Sequence, residues 1–172
     1  MPFSWLEPER LPRPLLRLLP PPKRLSPAFA HLPAAWPGRA LAHVLGRHVL
    51  RGLPQDSLEF LEGKALTLEV SDLGLRCAIT ASSGRLRALQ PDTGSDATIR
   101  GTFLDLLLLS SQLEDADTLF FQRRLVMTGD TALGLQVRNF MDQLPTSQLP
   151  PGLRILMNRL ARLALAAKKA RA

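Results

Sequence analysis

From residue 65 onward apolar side chains recur at every second position. In Ala65–Ser71, Leu66, Leu68 and Val70 alternate with Thr67, Glu69 and Ser71, the pattern of a half-buried strand. Asp72–Leu73–Gly74 makes a short turn, and Leu75–Ala81 repeats the alternation with Leu75, Cys77, Ile79 and Ala81 on one face. Ser82–Ser83–Gly84 turns again into Arg85–Leu89, and the loop Pro91–Asp96 leads to a fourth strand near Ala97–Gly101. Turns this short predict an antiparallel meander. The period then changes. Phe103–Leu113 reads as a helix that is apolar nearly all round, either buried on most sides or lining a cavity. An acidic turn, Glu114–Asp117, and the pair Phe120–Phe121 precede a fifth strand near Arg123–Thr128. Gly129–Asp130 breaks that strand, and Asp130 or Thr131 suits the cap of a helix from about Ala132 to Leu144. Its stripe is Leu133, Val137, Phe140, Met141 and Leu144. A first helix over Arg39–Arg51 carries Leu41, Val44, Leu45 and Val49 on one side. A last one, over Pro151–Ala167, sets Leu153, Leu156, Met157, Leu160, Leu163 and Ala164 against Arg154, Asn158, Arg159 and Arg162. The order predicts an α+β fold: one five-stranded, mostly antiparallel sheet with helices packed on one face. Leu66, Leu68, Ile79 and Leu144 are expected in the core.

Charge divides the chain into three. Residues 1–55 carry +6, residues 56–150 carry −5 and residues 151–172 carry +6, so an acidic middle lies between two basic ends. Of the 15 prolines, 11 fall within residues 1–54, and those between Arg10 and Leu25 forbid a long helix there. The divisions expected are therefore a Pro-rich basic segment (1–37), a central domain (38–148) and a basic amphipathic helix (149–172). In the first, Arg13, Arg17, Lys23 and Arg24 lie among Leu15 and Leu16, a composition that fits an anionic membrane surface. The longest stretch free of charged residues, Leu25–Gly38, is too short and too proline-broken to span a bilayer, and MPFSWLEPER lacks the form of a signal peptide. A cytoplasmic protein, peripheral on the inner membrane at most, is expected.

Catalytic chemistry has few places to reside. His43 and His48 are five residues apart and diverge on a helix, so they do not form a metal-binding pair. Cys77, the single cysteine, sits mid-strand on the apolar face, where a small buried hydrophobe is expected. No nucleophile elbow, P-loop or dinucleotide fingerprint occurs. Asp115 and Asp117 are explained by an acidic helix boundary. A nucleic-acid role lacks both exposed aromatics interleaved with basic residues on a strand and a polar recognition helix. The expectation is a non-enzyme with no cofactor, no metal and no nucleic-acid partner.

Two stretches carry a resemblance: Leu58–Asp72, LEFLEGKALTLEVSD, and Asp117–Leu144, DTLFFQRRLVMTGDTALGLQVRNFMDQL. A strand ending in Gly-Asp and followed by a helix reading L-G-L-x-V-x-N resembles the sterol carrier protein type 2 lipid-transfer domain. The fuller string, DTLFFQRRL running into Gly129–Asp130–Thr131, is similar to the bacterial accessory factors of oxygen-independent ubiquinone biosynthesis. The resemblance implies helices over one sheet face enclosing an apolar lipid cavity, and a non-enzymatic factor. It also implies isoprenoid quinone precursors or phospholipid as ligands, and as partners the oxygen-independent hydroxylase pair of the peptidase U32 family. The expected lining residues are Phe103, Leu107, Phe120, Phe121, Met127, Leu133, Val137, Phe140 and Met141. The alternative is a membrane- or partner-docking scaffold with no bound lipid.

Overall fold

The computed structural model describes residues 24, 26, 27, 33, 35–50, 53–90, 92–143 and 150–171. Helix α1, Trp36–Val44, continues directly into a π-helical turn, Leu45–Val49, and a 3-10 helix follows at Gln55–Leu61. Five strands come next, β1 (Leu66–Val70), β2 (Leu75–Ser82), β3 (Arg85–Leu89), β4 (Ala97–Gly101) and, later, β5 (Val126–Gly129). The remaining helices are α2 (Phe103–Ser110), α3 (Ala116–Phe121), α4 (Thr131–Gln143) and α5 (Pro151–Arg171).

The sheet runs in the order β3-β2-β1-β4-β5. β1, β2 and β3 form the expected meander, but β4 returns to the other side of β1 and pairs with it in parallel. Asp96 fixes that return. Its carboxylate accepts the Ala65 N–H at 2.7 Å, its own N–H donates to the Ala65 carbonyl, and its carbonyl accepts the Asp130 N–H. Directly opposed residues share a face, so the register puts Ala88, Ile79, Leu66 and Ala97 in one row. Cys77, Leu68, Ile99 and Met127 make the next. All the helices but α5 pack against this apolar face. The main core gathers Leu58, Leu61, Leu66, Ile99, Leu119, Leu125, Leu133 and Val137 there. A second cluster, Leu104, Leu107, Leu108 and Ala161, joins α2 to α5.

Three stretches differ from the expected elements. The expected acidic turn, Glu114–Asp117, runs straight into a helix over 116–121, because the Asp115 carboxylate caps it by accepting the Thr118 N–H at 2.7 Å. β5 begins at Val126 rather than Arg123, since Arg123 takes a left-handed conformation (φ 57°) in the turn that buries Leu125. α2 also stops at Ser110, where the Ser110 and Ser111 hydroxyls donate back to the Leu107 carbonyl, and Leu113 lies exposed beyond it.

Candidate functional site

Sheet and helices do not close completely on one another. Between them lies a cavity of about 640 Å³, within the range of about 300–1,000 Å³ usual for ligand sites. Its floor is the sheet face (Leu66, Leu68, Val70, Leu75, Ile79, Leu86 and Ile99). Leu41, Val44 and Leu45 of the first helical stretch, with Leu58, Phe60 and Leu61 of the 3-10 helix, cover one side. The other side is Phe103, Leu106, Leu107 and Leu109 of α2, Val137, Phe140 and Met141 of α4, and Met157 of α5. Phe60 and Phe140 meet across it with ring centroids 5.4 Å apart. α2 is therefore apolar on two sides for two reasons. Phe103, Leu106 and Leu109 line the cavity, Leu104 and Leu108 pack toward α5, and Leu107 does both.

Polar groups are confined to one margin, where Ser110, Gln112, Glu114, Asp115 and Asp142 reach the lining. Partial cover, then the neighbouring Asp117 charge, pushes the Asp142 carboxyl above its ordinary value. Asp115 is held below it, chiefly by the Thr118 N–H. Glu114 pairs with Arg124, which also binds the buried Asp105 carboxylate. Burial pushes the Cys77 thiol up, which keeps it protonated and unreactive. Among the described residues no three His, Cys, Asp or Glu side chains gather as metal ligands do. Such a site offers a partly closed, shaped space to an apolar chain, with polar groups at one margin.

The SCP-2 sterol transfer family model matches residues 47–142, which span the strands, the 3-10 helix and the greater part of the cavity wall. The chain belongs to the SCP-2 sterol transfer family. It is 38% identical over 140 residues to the ubiquinone biosynthesis accessory factor UbiT of Escherichia coli (strain K12), covering 81% of this chain and 80% of that one. UbiT of Escherichia coli O157:H7 matches to the same extent. The family is named for sterol transfer, and these relatives are named as accessory factors. A solved "UbiJ-SCP2 Ubiquinone synthesis protein" has the same fold, at a TM-score of 0.50 and 20% identity over 61% of this chain and 92% of that one.

Within this SCP-2 framework the cavity brings together five of the nine expected lining residues: Phe103, Leu107, Val137, Phe140 and Met141. The other four lie elsewhere. Phe121 is 90% exposed on the outside of α3, because neighbours on a helix point about 100° apart and Phe120 takes the inward position. Phe120 packs against the main core without reaching the cavity, and Leu133 is wholly buried in that core. Met127 is drawn to α4, where a Cβ on Gly134 would stand 2.2 Å from its sulfur. Leu66 and Ile79 are buried in the main core as expected, with Leu68 packed against it, and all three also form part of the cavity floor. Leu144 lies outside the described residues. The 3-10 helix supplied lining that no periodicity announced, although its LEFL sequence opens the first resembling stretch.

The Gly129–Asp130 break has a steric cause. Gly129 has φ 98°, and a Cβ there would come 2.2 Å from the Asp96 carbonyl oxygen. Asp130 then caps α4, accepting the Ala132 and Leu133 N–H groups at 2.8 and 3.1 Å, and pairs with Lys64 at 3.2 Å. Of the residues expected at a membrane, Arg13, Leu15, Leu16, Arg17 and Lys23 lie outside the described residues, and Arg24 is helical and exposed. No helix among the described residues is long and apolar enough to cross a membrane.

Proposed function

We propose that this chain is a non-enzymatic lipid-binding factor of oxygen-independent ubiquinone biosynthesis. It holds a polyprenylated quinone precursor in the cavity and presents the ring to the hydroxylase pair of the peptidase U32 family at the inner membrane. The observation that carries this reading is the half-open apolar cavity itself. A domain this small gains by closing its core, so about 640 Å³ of unfilled apolar lining is costly unless a ligand occupies it. The relation to UbiT supplies the pathway. The full-length protein, stripped of lipid by solvent extraction, is expected to take up a polyprenylated phenol one to one, as read by native mass spectrometry. Met141→Trp fills the cavity from α4 and should abolish uptake while leaving the melting temperature nearly unchanged. A clean apo mass from cells together with no uptake after extraction would refute the carrier reading. Loss of ubiquinone only in oxygen-free growth, on deletion of the gene, is the expected pathway phenotype.

A second reading, a docking scaffold without bound lipid, draws on α5, whose Ile155, Leu156 and Leu160 are exposed. The lipid content of the purified chain separates the two.

A further inference from the structure

The helical stretch that covers the cavity has a second side. Leu41, Val44 and Leu45 face the cavity, whereas Arg39, His43 and Arg47 line a separate groove of about 720 Å³ closed by Arg85 at the start of β3. Among the described residues no acidic side chain lines this groove. None of its three arginines makes an ion pair among the described residues, where the cations engaged are Lys64, Arg100, Arg124 and Arg138. Glu62 lies near but is committed, its Oε1 accepting the Gly84 N–H of the β2–β3 turn at 3.0 Å. Three cationic residues line one hollow with no paired acid among the described residues, and a bound anion would supply the missing counter-charge.

Two further features mark the place. The segment dividing groove from cavity, Leu45–Val49, is π-helical, a geometry that is uncommon and frequent at functional sites. Gly46 lies within it, yet a Cβ there would meet nothing within 4 Å, so packing does not demand the glycine. It leaves the groove open. Leu86 lines both spaces and forms the threshold between them.

We propose that this groove is a head-group site for the diphosphate of an isoprenoid amphiphile whose chain lies in the cavity, with Arg39, Arg47 and Arg85 as its ligands. This rests on the reading of the cavity as a lipid site. Guanidinium forks match the oxygens of phosphate groups in pairs. A triply charged diphosphate balances three of them, where a carboxylate would leave two uncompensated. The same chemistry exists in free pyrophosphate, but a site for the free ion has no need of an apolar threshold.

The test is calorimetric binding of farnesyl diphosphate, farnesol and inorganic pyrophosphate to the full-length chain and to Arg47→Gln/Arg85→Gln. These side chains are exposed, so the double variant should keep its fold, and an unchanged melting curve checks it. Arg76→Gln, at the other end of β2 from the groove and not among its lining, is the control for general charge. Farnesyl diphosphate is expected to bind the natural chain about tenfold or more tighter than farnesol. The double variant should erase that advantage without altering farnesol binding, and Arg76→Gln should change neither. Equal affinities for the two farnesyl compounds, or an advantage that survives in the double variant, would overturn the head-group site while leaving the cavity reading intact. Pyrophosphate binding as tightly as farnesyl diphosphate would also overturn it, in favour of a free-ion site. Failure of both farnesyl compounds to bind would remove the cavity reading and the head-group site with it.

Discussion

Asp105 is a carboxylate with 4% of its surface exposed, and a charge so placed needs close compensation. It receives the Arg124 Nε–H at 2.8 Å and the Thr102 hydroxyl, while its own N–H donates to Thr102 Oγ1, so the pair caps α2. Arg124 in turn engages Glu114 at the margin of the cavity. Removing the cation strands the anion, which costs more than removing the pair. Arg124→Met should therefore destabilise the chain by about 3 kcal/mol, whereas Asp105→Asn, which leaves no buried charge, should cost clearly less. Urea unfolding of both variants checks this, and equal losses would contradict it. The sequence presents Arg123 and Arg124 as equivalent neighbours. They are not, because one stands in an exposed left-handed turn and the other reaches an acid 19 positions earlier, a pairing no local pattern encodes. Residues whose role is local were legible: Asp130 or Thr131 was expected as a cap from its position after Gly129, and Asp130 is the one that caps.

At the scale of elements, the strands were the clearest part of the sequence, since a period of two repeated over several residues admits little else. β4 kept its boundaries but not its implied neighbour, because strand order depends on where a loop carries the chain, here on Asp96 and Ala65. α3 was missed for a different reason. Six residues make fewer than two turns, so its period never repeats, and its identity rests on Asp115 and on the buried Ala116 and Leu119. The same short helices give the chain an acid-sensitive margin. The Thr118 N–H lowers the Asp115 carboxyl, the Arg138 side chain lowers Asp117, and the Leu133 N–H, with Lys64, lowers Asp130. An acid whose folded pKa is depressed stabilises the fold above its unfolded value, near 3.8, and loses that contribution as pH falls through the folded value. Asp142 has the opposite sign: its raised value means that protonation relieves the fold as pH falls toward 3.8. Thermal melts should thus hold or rise slightly on mild acidification and then drop as pH passes below 3.8. Asp130→Asn should lower the neutral plateau and flatten the acid limb. An acid limb of unchanged steepness would show that this cap is not linked to folding.

At the scale of the whole molecule, α5 decides how the cavity meets its surroundings. The apolar positions of this helix read as one stripe in the sequence, but the structure divides them. Met157, Ala161 and Ala164 pack on Leu104, Leu107 and Leu108 of α2, with Ala161 wholly buried. Ile155, Leu156 and Leu160 remain 51%, 53% and 41% exposed, with Arg154 and Arg162 exposed beside them. Periodicity shows that a helix is apolar over a wide arc. It does not show how much of that arc a neighbour covers, and a small residue such as Ala161 gives no sign of being the point of closest approach. An apolar ridge flanked by cations is the form of a helix that lies in a membrane interface. In the function proposed above, this ridge would settle into an anionic leaflet while Met157, on the inner side of the same helix, lines the cavity. The full chain is expected to float with anionic vesicles, less so at high salt because the charges are screened. Leu156→Glu/Leu160→Glu should abolish flotation and leave the melting temperature within a few degrees, since both side chains already face water. Ala161→Leu should do the reverse, costing roughly 1–3 kcal/mol of stability through overpacking while the outer ridge stays intact. If the double glutamate variant floats like the natural chain, the outer face of α5 is not the membrane contact, and the basic segment before residue 37 becomes the place to test.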